Sequence, residues 1–88
     1  EAASISVLTA DQAETDRLWG ALIADGGTES MCGWLKDRWG LSWQIMPEPA
    51  TKLLANPDRA AAARAMNALM TMRCIDIARI EAAFAGKD

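Results

Sequence analysis

The chain has 88 residues, 51% of them hydrophobic and 24% charged, with a net charge of −3. That is one small globular domain, of a size that buries only about 60–65% of its unfolded surface. With no basic face to neutralise phosphates, the charge argues against nucleic acid as a partner. The scatter of the nine Lys and Arg residues argues against an anionic membrane surface. No apolar run approaches the ~20 residues of a spanning helix. Cys32 and Cys74 stand far apart in a chain without histidine. This is neither a disulfide framework nor a zinc motif, and it predicts reduced thiols and a cytoplasmic location.

In chain order, Ala3 to Leu8 alternates and reads as a half-buried strand. Asp11 with Glu14 fits a capping box that opens a helix. Its apolar stripe is Leu18, Trp19, Leu22 and Ile23, and Gly26-Gly27 ends it. A hairpin follows over Ser30–Lys36 and Leu41–Met46, with Asp37 to Gly40 as the turn. A four-residue turn sets Trp34 opposite Trp43 and Cys32 opposite Ile45 on a packed face. It sets Gly33 opposite Gln44, between the Leu35–Ser42 and Met31–Met46 pairs, on the other face.

Pro47 and Pro49 stop the strand, and Ala50 to Ala55 can make a short helical turn. Asn56-Pro57 reads as cap and first residue of a helix with Ala62, Met66, Leu69 and Met70 at helical spacing. A last helix starts at Asp76, places Ile77, Ile80 and Phe84 on one face, and ends at Gly86. The order predicts an α+β fold: strand–helix–strand–strand, then two to three C-terminal helices. The division falls between a sheet unit over 1–47 and a helical extension over 48–88.

Three stretches carry a resemblance. They are Ser6 to Asp11 with Asp16-Arg17-Leu18-Trp19, the block from Cys32 to Gln44, and the tail Asn56-Pro57-Asp58 to Met66 with Ile75-Asp76-Ile77. The chain resembles the PhnB-like branch of the glyoxalase, or vicinal oxygen chelate, superfamily, whose members carry the description 3-demethylubiquinone-9 3-methyltransferase. The resemblance implies two βαβββ modules whose curved sheets close around a cavity, of which this chain matches the second plus C-terminal helices. A start at Glu1 rather than Met predicts either a missing upstream module or two copies that complete the cup. Met31 stands where the family pattern has Gln.

The resemblance also implies a metal-binding Glu near the end of the last strand, and Gln44 occupies that position. A neutral amide is a poorer ligand than a carboxylate, and there is no histidine to help it. The expectation is therefore no metal held by this half and no cofactor. The mixed hairpin face, Gly33, Leu35, Ser42, Gln44 and Met46, is the candidate wall for an unknown, partly apolar small molecule. Cys32 reads as packing rather than as a nucleophile, since no base is at hand. Trp39 sits in the turn, suited to a rim or a subunit contact. Met66, Met70 and Met72 read as a core or interface stripe. The other reading is an interaction module that homodimerises through its open sheet edge.

Overall fold

The computed structural model describes residues 3–87. Glu1, Ala2 and Asp88, at the outer bounds of the two expected segments, lie outside them. The elements are β1 (Ser4–Thr9), α1 (Gln12–Ile23), β2 (Thr28–Glu29), β3 (Trp34–Lys36), β4 (Ser42–Pro47), α2 (Glu48–Leu54), α3 (Arg59–Leu69) and α4 (Ile77–Phe84). They form a mixed four-stranded sheet in the order β1-β4-β3-β2. β1 runs parallel to β4, and the other pairs are antiparallel. The expected strand–helix–strand–strand start and C-terminal helices are present, with β2 added as a two-residue edge strand.

Local chemistry sets most boundaries. The Asp11 carboxylate accepts from the Glu14 amide at 2.9 Å, and Glu14 reaches back to the Ala10 amide at 2.7 Å. This is the capping box, moved one residue upstream at its return bond. Asp76 caps α4 in the same way, through the Arg79 amide. The cap of α3 is Asp58, which accepts from the Ala61 amide, and not Asn56. Asn56 instead accepts from the Asp58 amide, in an Asx turn that delivers the chain to the true cap.

Two clusters form the core. Trp19, Leu35 and Ile45 pack between α1 and the sheet, joined by Val7, Leu18, Leu22, Ile23 and Trp43. Ala50, Ala65, Leu69, Met72, Ile75 and Ile80 pack among the C-terminal helices. Met66 and Met70 are exposed at 42% and 59%, so of the three expected methionines Met72 alone is core. α3 turns its alanines inward instead: Ala61, Ala62 and Ala65 are buried, which lets the helices approach closely.

The two clusters are stitched by backbone. The Cys32 and Gly33 amides donate to the carbonyls of Met72 and Arg73 at 2.7 and 2.8 Å. Gln12 donates to the Ile75 carbonyl at 2.9 Å and accepts from the Ile77 amide at 2.7 Å. Glu29 accepts from the buried Trp19 indole at 2.7 Å and pairs with Arg73 at 3.7 Å. Among the described residues no helix is long and apolar enough to cross a membrane.

Candidate functional site

The hairpin register differs by one residue from the four-residue-turn expectation. Trp34 pairs with Gln44, Leu35 with Trp43 and Lys36 with Ser42. The cause is the turn. A two-residue loop would need positive φ at both central positions, which Arg38 and Trp39 do not favour. The chain instead makes a three-residue loop, with a Gly40 amide to Asp37 carbonyl bond of 2.9 Å and Gly40 at φ 86°. Asp37 holds that loop from inside. Its carboxylate accepts from the Trp39 and Leu41 amides at 2.9 and 3.0 Å and from the Trp43 indole at 3.0 Å. These bonds, the Trp43 indole first, hold the Asp37 carboxyl below its ordinary value.

A one-residue shift exchanges faces. Leu35 is buried at 1% exposure, on the α1 side with Trp43 and Ile45. Gly33 is also buried, wedged between the Ile45 carbonyl and the Ile75 side chain. The expectation that Leu35 and Gly33 share a face with Gln44 is thereby corrected, as is the Trp34–Trp43 core pair. Trp34 takes Leu35's place beside Gln44. Cys32 is not opposite Ile45. It lies in the turn before β3 at φ 61°, half-buried against the C-terminal cluster.

Ser42, Gln44 and Met46 do alternate onto the face away from α1. There the parallel register brings Ser4, Ser6 and Leu8 of β1 alongside them. The row is polar toward Ser42 and apolar toward Met46, with Leu8 exposed at 64%. At its centre Gln44 stands between Ser6 and Trp34. Its amide nitrogen makes a long 3.4 Å bond to the Cys32 carbonyl, and its oxygen has no partner among the described residues. Sequence reasoning missed Trp34, Ser4, Ser6 and Leu8 on this face. The glycine at the third loop position was the available signal for Trp34.

No three His, Cys, Asp or Glu side chains converge on a metal-sized site among the described residues. The strand neighbours of Gln44 are a serine and a tryptophan, so this face offers no anionic ligand set for a divalent cation. Cys74 donates to Asp16 at 3.7 Å, and burial together with the Asp16 charge pushes its thiol up to about 11. Trp39 is exposed at 76% with the Arg38 guanidinium 4.2 Å over its ring. Arg38 in turn pairs with Asp25 at 3.4 Å, fixing the loop tip against the turn after α1.

The βαβββ order and the β1-β4-β3-β2 sheet are the module that the resemblance implies, and the comparison with known families agrees. The profile of the family described as 3-demethylubiquinone-9 3-methyltransferase matches residues 1–46. The chain belongs to that family. It is a glyoxalase-like, PhnB-type domain. The match ends inside β4, so the helices from α2 onward lie outside it. A search of curated proteins finds no match to the chain.

Proposed function

We propose that the sheet face centred on Gln44 forms one wall of a small-molecule cavity, closed by a second module of the same kind. That module is either an upstream segment of a longer chain or a second copy of this one. The observation that supports it is the row Ser6, Ser42, Gln44 and Met46 with Trp34, polar at one end and apolar at the other, on the face away from α1, where the C-terminal cluster partly covers Met46. A few placed polar groups in an otherwise apolar wall are what a small-ligand site requires. Gln44 offers an unpartnered amide oxygen to a ligand donor, and Trp34 offers a ring to stack on. In this reading Gly33 and Leu35 act from behind, fixing the strands on which these side chains stand. Gln44 does not hold the superfamily metal, because an amide flanked by serine and tryptophan supplies no charge to the ion.

The family description names methyl transfer. A nucleotide cofactor is ordinarily seated by a glycine-rich turn between a strand and a helix. The junction of β1 and α1 reads Thr9-Ala10-Asp11, without glycine, and Gly26-Gly27 follows the helix. The reading adopted is therefore ligand binding, with no assigned reaction.

Quenching of tryptophan emission by a panel of small, partly apolar molecules tests the wall. A true ligand loses its quenching in Trp34→Phe and binds more weakly to Gln44→Ala. Binding indifferent to both substitutions refutes the site. Metal analysis of the purified protein tests the second claim. Stoichiometric metal that disappears in Gln44→Ala would overturn it.

One observation favours a second reading, an interaction module that homodimerises. Among the described residues β1 has β4 on one side and no strand on the other, with Ile5 and Leu8 exposed at 38% and 64%. Sedimentation across a range of concentrations decides this, and a folded monomer throughout removes it.

A further inference from the structure

A cleft of about 390 Å³ lies between α3 and α4, remote from the Gln44 face. Arg64 and Asn67 line it from α3, spaced to share one helix face, Thr71 from the turn that follows, and Arg79 from α4. Among the described residues its lining holds two cations and no carboxylate, in a chain whose net charge is −3. Among the described residues, the ion pairs use Arg17, Arg38 and Arg73, so neither Arg64 nor Arg79 has a carboxylate within 4.0 Å.

Arg64 is already ordered. Its Nε donates to the Ala83 carbonyl at 3.0 Å and one Nη to the Phe84 carbonyl at 2.6 Å. These bonds cover the carbonyl end of α4, whose partial negative charge would otherwise repel an anion. The remaining Nη has no partner among the described residues. Nor has the Asn67 amide or the Arg79 guanidinium. Thr71 is not counted as a donor, because its hydroxyl is turned back to the Ala68 carbonyl at 2.7 Å. Three nitrogen donors thus border one cleft that, among the described residues, contains no acid to satisfy them. A planar guanidinium fixed in advance loses little freedom when it binds an oxyanion.

We propose that this cleft binds the oxyanion group of a small molecule, a phosphate or a carboxylate, through Arg64, Asn67 and Arg79. The site is independent of the Gln44 face.

The test is a two-dimensional NMR titration of the intact chain with inorganic phosphate, and in parallel with acetate, against chloride at matched ionic strength. Saturable shifts are expected at the Asn67 side-chain amide, at Arg79 and at Gly86, in the millimolar range. Removing one charged partner weakens the binding about tenfold, so Arg79→Gln should show that loss and Asn67→Ala a smaller one. Arg73→Gln, outside the cleft, should leave it unchanged. Tighter phosphate than acetate assigns a phosphate head group, and the reverse assigns a carboxylate. Shifts no larger than those of chloride overturn the proposal. So does binding that Arg79→Gln and Asn67→Ala leave intact, which is the result if Arg64 only caps α4.

Discussion

Replacing Gly33 by alanine should be among the most damaging single-methyl changes available to this chain. Two penalties combine. Gly33 has φ 82°, and an L residue held in that region costs about 1–2 kcal/mol. The added Cβ would also stand 2.7 Å from the Ile45 carbonyl oxygen and 2.9 Å from Ile75 Cδ1. The carbonyl is backbone and cannot swing aside, because the Ile45 amide is itself bonded to the Gly33 carbonyl at 2.8 Å. Overpacking of that kind costs about 1–3 kcal/mol more. The total, about 2–5 kcal/mol, is a large part of the roughly 4–13 kcal/mol that per-residue stabilities allow a domain of this size.

Two other glycines calibrate the figure. Gly40 has φ 86° with nothing within 4 Å of its virtual Cβ, so Gly40→Ala should show the conformational penalty alone. Gly20 lies inside α1 with open space around it, so Gly20→Ala should stabilise by about 0.5–1 kcal/mol. Urea unfolding followed by tryptophan fluorescence gives all three on one scale. With a slope near ~1 kcal/mol per molar, the Gly33 midpoint should fall by about 2 M or more. A Gly33→Ala loss no larger than that of Gly40→Ala would refute the claim that the Ile45 carbonyl and Ile75 leave no room for a side chain at this position.

Asp37→Asn should flatten the acid side of the stability profile. The folded carboxyl lies below its ordinary 3.8, so ionised Asp37 stabilises the fold above that pH and the benefit is lost as pH falls through the folded value. Unfolding midpoints measured between about pH 5 and about pH 2 should decline more steeply in the native chain than in the variant. Parallel profiles would contradict the caged-loop account. Cys74, raised to about 11, should alkylate far more slowly in the folded protein than in urea near neutral pH. With its ordinary value at 9.0, a rise of this size leaves about a hundredfold less thiolate. Site-resolved mass spectrometry reads the rate, and Asp16→Asn should speed it. Equal folded and unfolded rates would count against the burial.

The parts of the fold legible in the sequence are those fixed by neighbours along the chain. Asp11, Asp76 and Gly86 announce helix ends because capping is a matter of three or four residues. The strand–helix–strand–strand order follows from periodicity for the same reason. The hairpin register had one local signal, Gly40 at the third loop position, but what locks it, one carboxylate reaching three donors across a loop, has no sequence pattern of its own. That single step carried Leu35 into the core and set Trp34 beside Gln44. β2 was missed because two residues, Thr28 and Glu29, carry no alternation to read. The methionines of α3 misled because hydrophobic spacing cannot tell a long side chain from an alanine, whereas close helix packing selects the alanine. Of the five candidate wall residues, Ser42, Gln44 and Met46 share the expected face because all three stand on β4, where alternation alone decides.

The strand order has a consequence for how the chain assembles. Ser4 pairs with Ser42, so β1 finds its one neighbour only after the loop that contains α1, β2 and β3 has closed. Closing a loop of that length carries an entropic cost that the local β3–β4 hairpin does not bear. The hairpin is therefore the natural early structure, with Asp37 at its tip, and β1 is the late arrival. Until it docks, β4 is itself an edge, and the row from Ser42 to Met46 borders an unpaired strand. Until β1 docks, that strand is one more place where a nascent chain is open to pairing with its neighbours.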